Sequence, residues 1–145
     1  MFKSILVPID VMHKSSWQKA IPEAIAMTKA ARGKLVVMTV VRETTAMLGA
    51  VRTRIQLQSM LEEARGHLST IVQKYSGNGL KIAEEVRIGS VGHEVLATAK
   101  DRKVDLIIMA SHRHEMLDYL IGPNAAHVAL HAPCSVLVLR HKAPR

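Results

Sequence analysis

The chain lacks most of the features that declare a function outright. It carries one cysteine, Cys134, so no internal disulfide can form, and a reducing compartment, the cytoplasm, is expected. Aromatic residues make up only 3%, too few to build the stacking platform that single-stranded nucleic acid needs. The longest apolar runs, such as Leu106 to Ala110, fall far short of the ~20 residues that span a bilayer. Met1-Phe2-Lys3 leads straight into a strand-like segment, and no signal peptide is expected. The phosphate loops G-x-x-x-x-G-K-[ST] and G-x-G-x-x-G are missing, and so are H-E-x-x-H and C-x-x-C, which leaves no support for a metal centre.

What is present is ordinary in bulk. With 145 residues, 48% of them hydrophobic, the chain suits one domain, residues 1–145, with a substantial core. The net charge is +8, but the lysines and arginines are scattered. They read as a solvated surface, and neither nucleic acid nor a membrane is expected as a partner.

The pattern of elements is more telling. Ser4 to Asp10 opens with a nearly continuous apolar run, as suits a strand covered on both faces. Ser15 or Ser16 offers an N-cap for a helix with its stripe at Ala20, Ile21, Ala24, Ile25, Met27 and Thr28, closed by Gly33. Pro22 predicts either a kink or a regular part that begins near Ala20. Leu35 to Val41 reads as a strand, Arg42 to Arg52 as a polar loop, and Thr53 to Tyr75 as the longest helix, stopped by Gly77-Asn78-Gly79. Lys81 to Ile88 carries Glu84, Glu85 and Arg87, as an edge strand does. Val91 to Asp101 reads as a helix capped by Ser90, Leu106 to Ala110 as a strand, Pro123 to His131 as a helix, and Ser135 to Leu139 as a strand. Such alternation specifies an α/β protein, a parallel sheet with helices on both faces.

In open sheets of this kind ligands sit beyond the carboxyl ends of the strands, where the winding reverses. That rule points to the loops after Asp10, Val41 and Ala110. The last of these holds Ser111-His112-Arg113, with two hydrogen-bonding side chains and a guanidinium suited to an oxyanion. Gly122-Pro123-Asn124-Ala125 reads as a helix start whose N–H groups face outward. An anion site, or an ordinary β–α loop, fits these residues equally well. His127 and His131 lie i, i+4 and read as helix-surface histidines. Cys134 reads as a small buried filler, Trp17 as packing, and Asp10 as a group that binds ribose or a backbone N–H.

Three segments carry a family likeness over essentially the whole chain. They are Lys3-Ser-Ile-Leu-Val-Pro-Ile-Asp10, then Asp105-Leu-Ile-Ile-Met-Ala-Ser-His-Arg113 followed by Tyr119-Leu-Ile-Gly-Pro-Asn-Ala-Ala126, and His131-Ala-Pro-Cys-Ser-Val-Leu-Val-Leu-Arg140. Together they resemble the universal stress protein family, in a sub-branch marked by Ser-His-Arg. The resemblance implies a five-stranded parallel sheet of order 3-2-1-4-5, the architecture of the adenine nucleotide alpha hydrolases. It implies a site for ATP or AMP, with Mg²⁺ a candidate companion. On that reading Pro8, Ile9 and Asp10, with Val40 and Val41, flank adenine and ribose. Met109, Ala110, Ser111, His112 and Arg113 line the phosphates from one side, and Gly122, Pro123, Asn124 and Ala125 hold them from the helix end.

The family motif Gly-x2-Gly-x9-Gly-[Ser/Thr] is altered here. Ala110 and Arg113 replace its first two glycines, the spacer is one residue shorter, and Pro123 stands at the Ser/Thr position. Pro123 removes a hydroxyl and an amide donor, each worth about 1–3 kcal/mol to a charged acceptor, so weaker binding is expected. The resemblance also implies a homodimer through the terminal strand, Ser135, Val136, Leu137, Val138 and Leu139. Three readings remain open: a nucleotide-binding regulator in the stress response, a member that acts only by protein association, and a weak ATPase. No catalytic residue is assigned, and any hydrolysis is expected to be slow.

Overall fold

Side-chain alternation in the first strand, β1 (Ser4–Pro8), sets the layers. Ile5 and Val7 enter one core and Leu6 the other, and all three are fully buried. The computed structural model describes residues 1–42, 54–77, 79–111 and 123–140. After β1 come a 3₁₀ turn (Lys14–Ser16), α1 (Ala20–Ala31), β2 (Lys34–Arg42), α2 (Arg54–Gln73), β3 (Ile82–Gly89), α3 (Val91–Asp101), β4 (Leu106–Ala110), α4 (Pro123–His131) and β5 (Ser135–Leu139). All strand pairs are parallel, in the order β3-β2-β1-β4-β5. Helices α1 and α2 cover one face through Ile21, Ala24, Leu68 and Ile71, joined by Trp17 from the turn before α1. Helices α3 and α4 cover the other through Val95, Ala99, Ala125 and Val128.

The punctuation differs from expectation in places. Neither Ser15 nor Ser16 caps α1, because the chain first makes the 3₁₀ turn; Lys19 holds the cap position, with no side-chain bond. Pro22 is the third residue of α1, where its missing N–H is not needed, so regular helix begins at Ala20. Gly33 is not the left-handed residue that closes α1: Arg32 takes that conformation, with φ 53°. Gly33 is required for another reason. A Cβ there would lie 2.4 Å from the Lys3 carbonyl oxygen, beside the bond that the Lys34 amide donates to that oxygen at 2.8 Å. Ser90 does hold the N-cap position of α3, though without a side-chain bond. Gly77 and Gly79, with φ of 89° and 84°, supply the turn after α2. Asn78 and the expected loop beyond Arg42 lie outside the described residues.

One ion-pair network ties β3 to α3. Glu85 accepts from Arg87 Nε at 3.0 Å and from an Arg102 terminal nitrogen at 2.7 Å, while Arg87 also donates to Asp101 at 2.9 Å. Burial alone would raise the Glu85 carboxyl, but the two guanidiniums outweigh it and hold the group below the usual range. A depressed carboxyl stabilises the fold above its unfolded pKa and loses that contribution as pH falls through the folded value. Thermal melts taken from neutral pH down through the acidic range should therefore show a slope that Glu85→Gln reduces. An unchanged slope would mean that the network does not couple to folding.

Candidate functional site

The first strand runs out at Pro8, and its continuation is fixed by the neighbouring strand. The Ile9 amide donates to the Met38 carbonyl at 2.8 Å, and the buried Thr39 hydroxyl donates to the Ile9 carbonyl at 2.9 Å. Asp10 then folds the chain back on itself. One carboxylate oxygen accepts the Met12 amide at 2.9 Å, an Asx turn. The other lies 2.9 Å from His13 Nδ1. The Asp10 amide donates to Ser16 Oγ at 2.9 Å, and that hydroxyl lies 2.7 Å from the His13 carbonyl oxygen. A loop of short polar bonds thus closes where β1 ends.

That loop forms one wall of a cleft of about 430 Å³ beyond the carboxyl ends of β1, β2 and β4. Pro8, Ile9 and Asp10 line it from β1, Val40 and Val41 from β2, and Met109 and Ala110 from β4. Pro123, Asn124 and Ala125 face it from the first turn of α4, where the amides have no partner within the helix. The order β3-β2-β1-β4-β5 makes β1 and β4 the pair between which the winding reverses, so the cleft lies where the topology rule places ligands. Its size falls in the range of small-molecule sites, roughly 300–1,000 Å³.

Ser111 is not among the lining residues; its amide donates to the Leu139 carbonyl at 2.8 Å and continues the β4–β5 ladder instead. His112, Arg113 and Gly122 lie outside the described residues. Several lining residues escape the sequence reading, notably His13, Ser16, Thr39, Arg42 and Val91. The sequence reading gives Asp10 a ribose or a backbone N–H to bind and no histidine, yet His13 stands three residues on. The Asp-x-x-His spacing, in a loop that reverses direction, was the available signal. Asp10 does bind a backbone N–H, that of Met12.

Elsewhere the structure places the remaining candidates plainly. His127 and His131 are exposed on α4 with ring centroids 4.7 Å apart. Among the described residues no group of three or more His, Cys, Asp and Glu side chains could hold a metal ion. Trp17 packs in the core, 6% exposed. Cys134 is only partly buried, against the α3–α4 core, and burial together with the nearby Asp105 charge raises its thiol pKa. β5 is a terminal strand paired to β4, with Ser135 exposed and Val136, Leu137, Val138 and Leu139 half-buried. No helix of the described residues is long and apolar enough to cross a membrane.

A parallel open sheet of this order, with a cleft at its point of reversal, defines a doubly wound α/β protein. A model of the universal stress protein family matches residues 1–140. The chain belongs to the universal stress protein family. Universal stress protein G of Shigella flexneri is 29% identical over 142 residues, covering 97% of this chain and 100% of that protein. The structure of universal stress protein UspA from Lactobacillus plantarum matches with a TM-score of 0.72 at 23% identity, over 95% of this chain and 97% of that one. A universal stress protein crystallised in complex with cAMP matches with a TM-score of 0.62 at 19% identity, over 96% of this chain and 97% of that one.

Proposed function

We propose that this universal stress protein binds an adenine nucleotide, AMP or ATP, in the cleft between Asp10 and the start of α4, and that it acts as a regulator. The observation that carries this reading is the meeting of the β1 and β2 ends with the first turn of α4 around one cavity of about 430 Å³. Apolar Val40, Val41 and Met109 suit a base, and the amides of Asn124 and Ala125 suit a phosphate. The cAMP complex of a protein with the same fold supports a nucleotide of this size. Pro123 withholds one donor, so affinity is modest. His112, Arg113 and Gly122 complete the phosphate side on this reading, as members of the Ser-His-Arg sub-branch, and Mg²⁺ accompanies a polyphosphate. Residues 1–145 act as one domain, cytoplasmic, paired with a second copy along β5.

A thermal melt with and without nucleotide tests it. A ligand present at 100 times its Kd adds about 2.7 kcal/mol of stability, a rise of several degrees. Titration calorimetry with AMP and ATP then ranks the two. A melting curve that millimolar AMP and ATP leave unmoved would reject the reading in favour of a member that acts by protein association.

A further inference from the structure

We propose that the end of the sheet opposite the cleft is a docking face for an anionic lipid surface. The sequence scatters its cations, but the register gathers them. Ser4 pairs with Lys34, and Leu35 pairs with Ile82, so Lys34 and Lys81 stand at neighbouring strand starts, with Lys3 next along the edge. Adjacent strands are ~4.8 Å apart, so Lys34 and Lys81, level with each other in that register, set two like charges side by side. Arg32 and Lys103 join them, each in a left-handed turn with φ 53° that glycine or asparagine usually fills.

Helix C-termini favour cations, and that accounts for Arg32 and Lys103. It does not account for Lys34 and Lys81 at strand starts. Among the described residues none of these five cations forms an ion pair; the pairs nearby belong to Arg87 and Arg102. The local acid, Asp105, is taken up by the amides of Lys3 at 2.8 Å and Ser4 at 3.0 Å. The Lys3 ammonium donates to the Ala31 carbonyl at the end of α1.

Two features favour lipid over a phosphodiester backbone. The charges come from the sheet and from a helix end on each of its faces, a broad patch rather than a line or groove. Beside Lys3, Phe2 is 36% exposed and Met1 92% exposed. Apolar side chains among lysines gain from a lipid interface and gain nothing against phosphates. The cleft opens at the other end of the strands, so docking leaves it accessible.

Sedimentation with vesicles tests the proposal on the whole chain. Retention is expected on vesicles that contain phosphatidylglycerol, not on phosphatidylcholine alone, and should fall as salt rises. Each lysine at an anionic surface contributes about fivefold, so K34Q/K81Q should weaken retention about 25-fold. F2S should weaken it further. The same double variant should melt no lower than the parent, because it relieves crowded like charge; that separates lost docking from lost fold. K19Q/R65Q, which removes two exposed cations elsewhere, should change retention far less. Equal loss in that control would reduce the effect to net charge and overturn the proposal. So would absence of retention, or tighter lysine-dependent binding to duplex DNA than to vesicles.

Discussion

Replacing Gly33 with valine should destabilise the protein by about 3–4 kcal/mol, a fall of roughly 10 °C in melting temperature for a chain of this size. The reason is distance, not backbone conformation. A Cβ at this position would sit 2.4 Å from the Lys3 carbonyl oxygen and 2.9 Å from its carbon. Both are main-chain atoms at the start of β1, and neither can swing aside as a side chain would. Relief requires the β1 and β2 starts to part, which breaks the bond from the Lys34 amide to Lys3. Leu35 and Ile5, both buried in the same core, lie two residues further in and lose packing as well. Gly33→Ala should move in the same direction. Gly66, on α2, is the control: nothing lies within 4 Å of a Cβ there, so alanine should stabilise by up to about 1 kcal/mol. Equal melting temperatures for the valine variant and the parent would show that the two strand starts are free to separate.

Asn124→Asp should move folding and binding in opposite directions. Asn124 is the second residue of α4 and lines the cleft. A carboxylate in a first helical turn gains about 0.3–1 kcal/mol from the helix dipole, so the unliganded protein should melt slightly higher. The same charge would face the nucleotide phosphate. Two unit charges ~5 Å apart at an effective dielectric of ~20 repel by about 3 kcal/mol. That is on the order of a hundredfold in Kd for AMP by calorimetry, and more for ATP. Should the variant bind AMP as tightly as the parent, the start of α4 would not be where the phosphate rests.

The layered fold was legible because burial writes itself into local pattern. Runs such as Ile5-Leu6-Val7 and Leu106 to Met109 are apolar at every position because both sheet faces are covered. The edge character of β3 was visible in Glu84, Glu85 and Arg87, and the register agrees, since among the described residues β3 pairs only with β2. The cleft walls followed from topology and the family resemblance, which together pointed at Asp10, Val40, Ala110 and Asn124. What stayed hidden depends on contacts between distant residues. The role of Gly33 is set by Lys3, a residue on another strand. The Ser111 amide is bonded to Leu139 on the neighbouring strand, which no local pattern announces. Thr39 reads as one more strand residue until its hydroxyl is seen holding Ile9. His13 reads as one more polar loop residue until the chain turns back and sets its ring 2.9 Å from the Asp10 carboxylate.

The closed loop at Asp10 bears on how any visitor to the cleft is received. Met12, His13 and Ser16 are already bonded to Asp10 or to each other's backbone. Association therefore freezes few rotors on that side, and the entropy usually surrendered there has been given up during folding. A guest settling against this wall meets a surface set in advance. Chains that carry alanine at residue 10 or 16 should show a larger entropic penalty for the same guest.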